Sequence, residues 1–253
     1  MSVRLKSERD LEKLRQSGQI LSLIFKKIKN EAKVGASLKF FDDLARKLLR
    51  ENGAKPAFLN YKPDGAKNAF PAAICTSLND QVVHGIPSEY ILKDGDILKI
   101  DFGVNYEGYF TDAAFTVEIG KISKKAQELI KVTEEALNKG IEMCLPGNHL
   151  GDIGWAVETT VKRNGFKVIK GLTGHGTGFE LHEDPYVFNY GRRGEGTVLE
   201  PGLVLAIEPM VSIGTEEIKQ AKDDSFFTRD GSLSAHFEKT IVITKNGSEI
   251  ITP

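Results

Sequence analysis

Two carboxylates lie in the middle of what the sequence predicts to be a β-hairpin. The stretch around Asp101 alternates apolar with other residues, and the stretch around Asp112 is rich in aromatic and β-branched residues, which favours two paired strands. A turn centred between Tyr106 and Glu107 would place the two aspartates directly opposite each other. Opposite Cβ atoms lie about 4.5 to 5.5 Å apart, where like charges destabilise a sheet unless something compensates them. A bound cation is the simplest compensation.

Three further segments carry polar side chains where a core pattern would not place them. His175 lies within the glycine-rich GHGTG, Glu208 ends an apolar run just before Pro209, and Glu238 directly precedes an apolar strand. Glycines allow the backbone to approach a site closely. A proline confines its position to an edge or a strand end, where a carboxylate can project into a cleft. Each of these residues taken alone is more often structural or solvated.

The five residues together bring four carboxylates and one imidazole, a set that two divalent cations would neutralise. Oxygen ligands with one imidazole suit Mn, Fe(II), Co or Zn better than a soft metal that prefers thiolates. Two such ions held about 3.5 to 4 Å apart lower the pKa of water and polarise a carbonyl group, which aminopeptidases and related hydrolases require. The residue set therefore predicts a dinuclear metal centre and leaves the identity of the metal open.

Two pairs of amphipathic helices are predicted to position these residues, over about 7–29 and 37–51, then 123–142 and 150–163. Ser7 and Ser123 are suited to begin helices, and Gly53 and Gly165 to end them. Each helix pair is followed by segments that are typical of antiparallel strands. This order predicts an α+β fold, in which two helix pairs cover a pseudo-two-fold antiparallel sheet.

The two helix pairs also share a register. Four residues recur 112 positions later, namely Gly35, Leu38, Asn52 and Gly53 as Gly147, Leu150, Asn164 and Gly165. These identities indicate a duplication, although any two glycine-capped helical hairpins share such a layout. We expect a single catalytic domain over residues 1–253, with pseudo-repeat halves of about 1–120 and 121–253 and a site between them.

The composition is that of an ordinary globular protein. Lys plus Arg is 34 and Asp plus Glu is 35, so the net charge provides no general attraction to nucleic acid or to an acidic membrane. The start MSVRLKSERDLEKL is charged, and no apolar run is long enough to span a bilayer, so a cytoplasmic location is expected. Cys75 and Cys144 fit neither a disulfide framework nor a paired metal motif, and both are expected to be reduced, packed thiols.

The ordered motifs DFG, TDAA, GHGTG, AIEPM and HFEKTIVIT resemble the metal-ligand series of the pita-bread metallopeptidases, and specifically of the type I methionine aminopeptidases. The resemblance covers nearly the whole chain. It implies the pita-bread fold, two divalent metal ions and removal of the initiator methionine from nascent polypeptides when the second residue is small. The expected partners are the N-termini of nascent chains, met at the ribosome, and the enzyme is expected to act as a monomer.

The family's functional residues can be carried over position by position. The implied metal ligands are Asp101, Asp112, His175, Glu208 and Glu238. The resemblance also implies that Glu208 is the general base and that His182 faces the substrate and stabilises the oxyanion. The segment NDQVVHGIP is similar to the family segment whose histidine contacts substrate, which makes His84 the residue that holds the peptide or assists the leaving amine.

Some segments depart from the family pattern. The stretch from Leu59 to Cys75 is longer than is usual in bacterial type I enzymes, and KDDSFFTRDGS has phenylalanines where an indole is common. The candidates for the wall of the methionine pocket are Phe70, Cys75, Leu181 and Phe226, and core packing is an equally good interpretation of each.

Two other interpretations remain open. A small relative of aminopeptidase P would cleave before proline, although that branch and the prolidases carry a sizeable extra N-terminal domain, whereas the first helix here is predicted almost at residue 1. A non-catalytic pita-bread module that binds proteins or ribosomes would be expected to lack ligands, and all five ligand positions are filled here.

Overall fold

A computed structural model of the chain describes residues 3–62, 65 and 67–253. This part of the chain forms four α-helices: α1 Glu8–Glu31, α2 Leu38–Glu51, α3 Lys124–Glu142 and α4 Leu150–Arg163. The predicted starts are confirmed, because the Ser7 hydroxyl accepts from the backbone N–H of Asp10 as part of a capping box. The Ser123 hydroxyl accepts from the backbone N–H of Ala126 at the start of α3. None of these four helices combines the length and the apolarity that crossing a membrane requires.

The ends of α2 and α4 are built alike. Asn52 and Asn164 are the C-terminal caps, and their side-chain amides donate to the carbonyl four residues earlier at 2.8 and 2.9 Å. Gly53 and Gly165 follow with φ of +66° and +76°, the left-handed conformation that glycine adopts without strain. The predicted stops are therefore confirmed, and the two helix ends match in conformation as well as in residue type.

Fifteen strands are formed within the described residues. The first half of the chain contributes β1 Lys55–Pro56, β2 Cys75–Leu78, β3 Gln81–Val83, β4 Ile97–Tyr106 and β5 Tyr109–Glu118. The second half contributes β6 Lys167–Val168, β7 Gly174–Gly176, β8 Glu183–Val187, β9 Val204–Ile207, β10 Met210–Ser212, β11 Ile218–Gln220, β12 Phe226–Thr228, β13 Ser234–His236, β14 Glu238–Thr244 and β15 Gly247–Ile250.

The main sheet has nine strands, which run β1-β4-β5-β14-β9-β7-β8, with β2 beside β4 and β15 beside β14. Its pairings are antiparallel throughout. Two small sheets of three strands, β13-β10-β6 and β11-β12-β3, complete the fold. The helices and the antiparallel sheet together give the α+β architecture that the sequence predicts.

The predicted register of the β4–β5 hairpin is wrong by two residues. Tyr106 pairs with Tyr109, so the turn consists of Glu107 and Gly108, with φ of +52° and +88°. Both values are positive, as a two-residue type I′ turn requires, and Gly108 makes that turn accessible. Asp101 therefore pairs with Ala114 and not with Asp112. Because the slip is an even number of residues, both aspartates remain on the same face of the sheet, one step diagonal to each other.

The two halves of the chain meet in the main sheet where β5 lies beside β14. We refer to this contact as the central seam, and its ladder consists of two residue pairs, Ala113 with Lys239 and Ala114 with Glu238. The strands continue past these pairs on both sides, so the polar groups of the neighbouring backbone need other partners.

Two threonine hydroxyls supply those partners. The Thr240 hydroxyl accepts from the backbone N–H of Asp112 at 2.9 Å and donates to the backbone carbonyl of Asp112 at 2.7 Å. On the other side of the ladder pairs, the Thr116 hydroxyl accepts from the N–H of His236 at 2.9 Å and donates to its carbonyl at 2.7 Å. The seam is thus flanked by one threonine from each half of the chain.

The apolar core lies between the helices and the main sheet. Leu21 and Ile24 of α1 and Phe41 of α2 are buried in one cluster with Ile100 and Phe102 of β4. A second cluster joins α3 and α4 to β6, β10 and β13. The helix pairs thereby fix one face of the sheet and leave the opposite face of the central strands to the polar residues.

Candidate active site

The register of the sheet places the predicted ligands in two adjacent rows. In one row Asp101 pairs with Ala114, which pairs across the central seam with Glu238. Opposite residues of antiparallel strands project to the same face. Asp101 and Glu238 therefore lie on one face of the sheet, on either side of the small side chain of Ala114.

The second row lies two residues away along β5. Asp112 is bridged to Thr240, which pairs with Ala206, and Ala206 pairs in turn with His175. Residues two apart on a strand share a face, so this row faces the same way as the first. Glu208 lies two residues beyond Ala206, directly after β9 ends, and so it reaches the same face.

The side chains converge on one point. Ligand atoms of Asp112, His175 and Glu238 all lie within 4.8 Å of one another, and all three residues are buried. His175 Nε2 lies 3.5 Å from Oε1 of Glu208. Asp101 lies close enough to Asp112 for its charge to be the largest cause, after burial, of the raised pKa of that carboxyl group. The structure thus brings together all five predicted ligand residues.

The electrostatics of this face are those of an uncompensated acidic cluster. Burial, with the charge of Glu208 as a further cause, raises the pKa of Asp101 to about 7, and burial raises the pKa of Glu208 to about 7. The pKa values of Asp112 and Glu238 are raised well above the ordinary range by burial first and by the neighbouring carboxylates second. Four carboxylates in this space cannot all be ionised unless positive charge is present.

The arrangement of polar atoms fits a cation. Oδ1 of Asp101 and Oε1 of Glu238 are buried, and neither has a hydrogen-bond partner among the described residues. A buried carboxylate oxygen without a partner is costly. Carboxylate oxygens with one imidazole are also the donor types that Mn, Fe(II), Co and Zn accept. The donor set and its unsatisfied oxygens are therefore compatible with divalent metal ions.

The orientation of His175 is fixed by its backbone environment. Its Nδ1 lies 2.9 Å from the carbonyl oxygen of Gly176, which leaves Nε2 directed at Glu208. A backbone carbonyl at one ring nitrogen is the usual device that sets the tautomer of a ligating histidine. A Cβ on Gly174 or Gly176 would lie 2.3 Å from a backbone oxygen of the neighbouring strands. The expectation of a close backbone approach at this motif is confirmed.

His182 lies directly beside His175, with ring centroids 4.3 Å apart. Its Nδ1 is 2.8 Å from the hydroxyl of Tyr61, whose ring packs edge-on against the imidazole at 5.0 Å. The pKa of His182 is lowered first by the loss of water around the ring and second by the neighbouring His175 and His84, although the residue keeps an exposed surface. His182 is therefore neutral over the physiological pH range, and its ring is held from one side by a tyrosine.

His84 directly follows β3 and lies near enough to His182 to affect the pKa of that imidazole. Its backbone φ is +60°, which is rare for a residue other than glycine, and its ring lies 5.6 Å from that of Phe226. The pKa of His84 is lowered first by the loss of water around the ring and second by the charge of His236, while Asp224 acts in the other direction, and the residue keeps an exposed surface. A strained backbone conformation of this kind persists only where the surrounding structure enforces it.

Three of the four candidate pocket residues lie together. Phe70, Cys75 and Leu181 pack in one apolar cluster with Phe58, and Cys75 pairs directly with Asp101 across β2 and β4. Phe226 lies elsewhere, in a separate cluster with Val83, Ile169 and Met210, and it contacts His84. The apolar wall beside the acidic face is thus built by the first three residues.

Sequence reasoning missed two residues of the site. His236 is buried with Nε2 3.5 Å from Oε2 of Glu208, and neither of its ring nitrogens has a hydrogen-bond partner among residues 3–62, 65 and 67–253. Its position two residues before Glu238 was the available signal. Tyr61, which contacts His182, lies in an irregular segment where spacing carries no information.

The nine-stranded sheet and the acidic face define a pita-bread metallopeptidase. The methionine aminopeptidase of Aquifex aeolicus is 45% identical over 258 residues, with 100% of this chain and 99% of that protein covered. The crystal structure of methionine aminopeptidase from Thermotoga maritima has a TM-score of 0.95 at 39% identity and covers 99% of each chain. Residues 12–245 match metallopeptidase family M24, and the chain belongs to this family.

The likeness to the proline-specific branch concerns the fold. Prolidase from Pyrococcus horikoshii has a TM-score of 0.77 at 24% identity, with 98% of this chain but 63% of that chain covered. The remaining part of that protein has no counterpart in the match, in keeping with the expectation that the branch carries extra sequence.

Proposed function

We propose that this chain is a dinuclear-metal methionine aminopeptidase that removes the initiator methionine from nascent polypeptides when the second residue is small. The observation that carries the proposal is the acidic face, where four carboxylates and one imidazole from both halves of the chain converge beside an apolar wall. The high identity to proteins named methionine aminopeptidase over the full length supports the substrate assignment.

The residues that would hold the metals are Asp101, Asp112, His175, Glu208 and Glu238. When bound, two divalent ions in such a set lower the pKa of water and polarise a carbonyl group. The donor types accept Mn, Fe(II), Co or Zn, and availability decides among them. Because the ligands come from both sides of the central seam, we propose that residues 1–253 act as one catalytic unit with halves of about 1–120 and 121–253.

Three side chains would then act on the substrate and the attacking water. Glu208 would take up a proton from the attacking water as the general base. With the Tyr61 hydroxyl donating to Nδ1, neutral His182 would carry its proton on Nε2 and donate it to the developing oxyanion. His84 would hold the peptide or assist the leaving amine.

The methionine side chain would lie against the apolar wall of Phe70, Cys75 and Leu181. Phe226 would contribute from the other side, next to His84. We further propose that the substrates are nascent chain N-termini met at the ribosome in the cytoplasm, and that the enzyme is a monomer with no nucleic acid or membrane partner.

The test is hydrolysis of Met-Ala-Ser, Met-Pro-Ser, Leu-Ala-Ser and Ala-Pro-Ala by chelator-stripped protein, before and after addition of Mn, Co, Fe(II) or Zn. We expect metal-dependent cleavage of the methionine peptides only. Cleavage of Ala-Pro-Ala would assign the chain to the proline-specific branch. Absence of cleavage with every metal would favour a binding module. The variant Glu208→Ala is the inactive control for the wild-type protein, because it removes a metal ligand and the proton acceptor together.

A further inference from the structure

A buried ion pair joins the segment before α1 to the residue that follows His182. Lys6 Nζ donates to Oε2 of Glu183 at 2.6 Å, and the two side chains are 1% and 3% exposed. The backbone N–H of Lys6 also donates to the carbonyl of Gly202 at 2.8 Å, which docks this segment on the body of the protein. Removing two charges from water is expensive, so a buried pair is weak evidence for stability and needs another explanation.

The second oxygen of the same carboxylate holds a turn. Oε1 of Glu183 accepts from the backbone N–H of Phe179 at 2.6 Å and from that of Glu180 at 2.9 Å. Hydrogen bonds from N–H groups to an ionised carboxylate are about twice as strong as neutral ones. One oxygen of Glu183 therefore pairs with the ammonium of Lys6, while the other oxygen closes the turn over residues 179–183.

The stem of Lys6 packs against the same turn. A Cβ on Gly178 would lie 2.5 Å from Cε of Lys6, and Gly178 has a φ of +130°. The Lys6 ammonium lies 5.0 Å from the centre of the Phe179 ring, a cation–π distance. Both the charge and the hydrocarbon part of Lys6, a side chain from far away in sequence, therefore contact this turn.

Leu181 and His182 lie between the two anchored ends of this turn. Leu181 belongs to the apolar wall, and His182 is held on its other side by the hydroxyl of Tyr61 at 2.8 Å. An imidazole that must donate to an oxyanion needs its ring placed to within a fraction of an ångström. The backbone on one side of that ring is set by Glu183, and Glu183 is set by Lys6.

We propose that Lys6 is a positioning residue for His182, acting through the carboxylate of Glu183 and the turn over residues 179–183. Lys6 then acts on the site from a distance, through Glu183 and without touching the substrate. This inference rests on the proposed function for its catalytic consequence, while its structural content, the orientation of the His182 ring, is independent of that function.

The test compares Lys6→Met with the control Arg4→Met in metal-loaded enzyme. Arg4 reaches the same turn from the surface, where its guanidinium is 2.8 Å from Glu180 and 3.3 Å from Glu183 with the side chain 42% exposed. We expect Lys6→Met to lower kcat about 10- to 100-fold with KM changed less than about threefold, as for a misplaced group of the site. Arg4→Met should change kcat less than about twofold.

A double-mutant cycle separates positioning from a general loss of structure. In an H182A background, Lys6→Met should lower kcat little further, because the group it positions is already gone. An equal loss in both backgrounds would overturn the proposal. Since Lys6→Met leaves a carboxylate unpaired, the double variant Lys6→Met/Glu183→Gln is also measured, in which the amide oxygen still accepts from Phe179 and Glu180. We expect it to retain the fold and to recover part of kcat.

A second readout does not depend on activity. The ring-nitrogen NMR signals of His182, assigned by comparison with H182A, should shift or broaden in Lys6→Met and stay unchanged in Arg4→Met. If wild-type protein cleaved no methionine peptide, the proposed function would fail, and the NMR comparison would still decide whether Lys6 orients His182. Unchanged His182 signals in Lys6→Met would overturn the inference whatever the activity.

Discussion

At the scale of single residues, this site combines groups that carry charge with groups that hold them in place. Glu208 is a charged group that its neighbours hold in place. Its Oε1 faces His175 and its Oε2 faces His236, each 3.5 Å from a ring nitrogen. Both imidazoles are buried beside the same carboxylate. A carboxylate placed between two rings in this way has little freedom to rotate, which is what a metal ligand and proton acceptor requires.

His236→Ala is expected to weaken divalent metal binding about 10- to 100-fold, the usual effect of losing a side chain that orients a ligand. The physical reason is that Oε2 of Glu208 loses the imidazole ring whose Nε2 lies 3.5 Å away, while the carboxylate remains buried. Isothermal titration of chelator-stripped protein with Mn or Co measures the change. His236→Gln keeps an N–H donor and should lose less affinity, whereas equal losses in both variants would argue against this role.

At the scale of the elements, the ends of the helices could be predicted from nearby residue types, whereas the register of the β4–β5 hairpin could not. Ser7, Ser123, Gly53 and Gly165 could be recognised from the sequence because capping and left-handed conformations depend on residue type within one turn. The register of the β4–β5 hairpin depends on which two residues form the turn, and Glu107 is an unexpected choice, since glutamate rarely adopts a positive φ.

The candidate site, like the fold, could be predicted only in part. The five proposed ligands were accessible because each combines an unusual residue type with an apolar strand, and the even register error preserved their common face. The contacts of Tyr61, His236 and Lys6 could not be predicted, because they join segments far apart in sequence through side-chain geometry. The role of each candidate pocket residue stays a prediction for the same reason.

Packing can reverse the effect of a substitution that favours helix. Gly18 lies in α1, where alanine would ordinarily stabilise the helix by about 1 kcal/mol. A Cβ at this position would lie 2.0 Å from the backbone oxygen of Ile251, so the helix would have to move. We expect Gly18→Ala to destabilise the protein by about 1 to 3 kcal/mol in urea unfolding. The exposed neighbour Gln19 provides the control, and Gln19→Ala should change the free energy of unfolding by less than about 0.5 kcal/mol.

At the scale of the whole molecule, the acidic cluster sets how stability depends on pH and metal. Asp101 and Glu208 have pKa values of about 7 in the folded chain without metal, well above their ordinary values of 3.8 and 4.5. Between the ordinary and the raised values, the unfolded chain has lost protons that the folded chain still binds. The folded state therefore loses stability as pH rises through this window, and the penalty vanishes below it.

Chelator-stripped protein should accordingly lose at least about 5 °C in Tm between pH 5 and pH 7, a loss that added Mn or Co reverses. Thermal unfolding followed by circular dichroism checks this expectation. Glu238→Gln removes one of the interacting carboxylates and should make the fall shallower. A metal-free Tm that rose with pH across this window, or that fell equally in Glu238→Gln, would contradict the account.

The central seam has a further consequence for the order in which the chain folds. Each half can form its helix pair and much of its sheet from contacts that are near in sequence, but the seam joins β5 to β14 across more than a hundred residues. Contacts of such long range are slow to form, because loop closure precedes any gain from them. We expect the backbone amides of Asp112 and His236, which the seam threonines hold, to become protected late in pulse-labelled refolding. The complete set of metal ligands would then exist only once folding is finished, so a partly folded chain could not capture the metal in its final geometry.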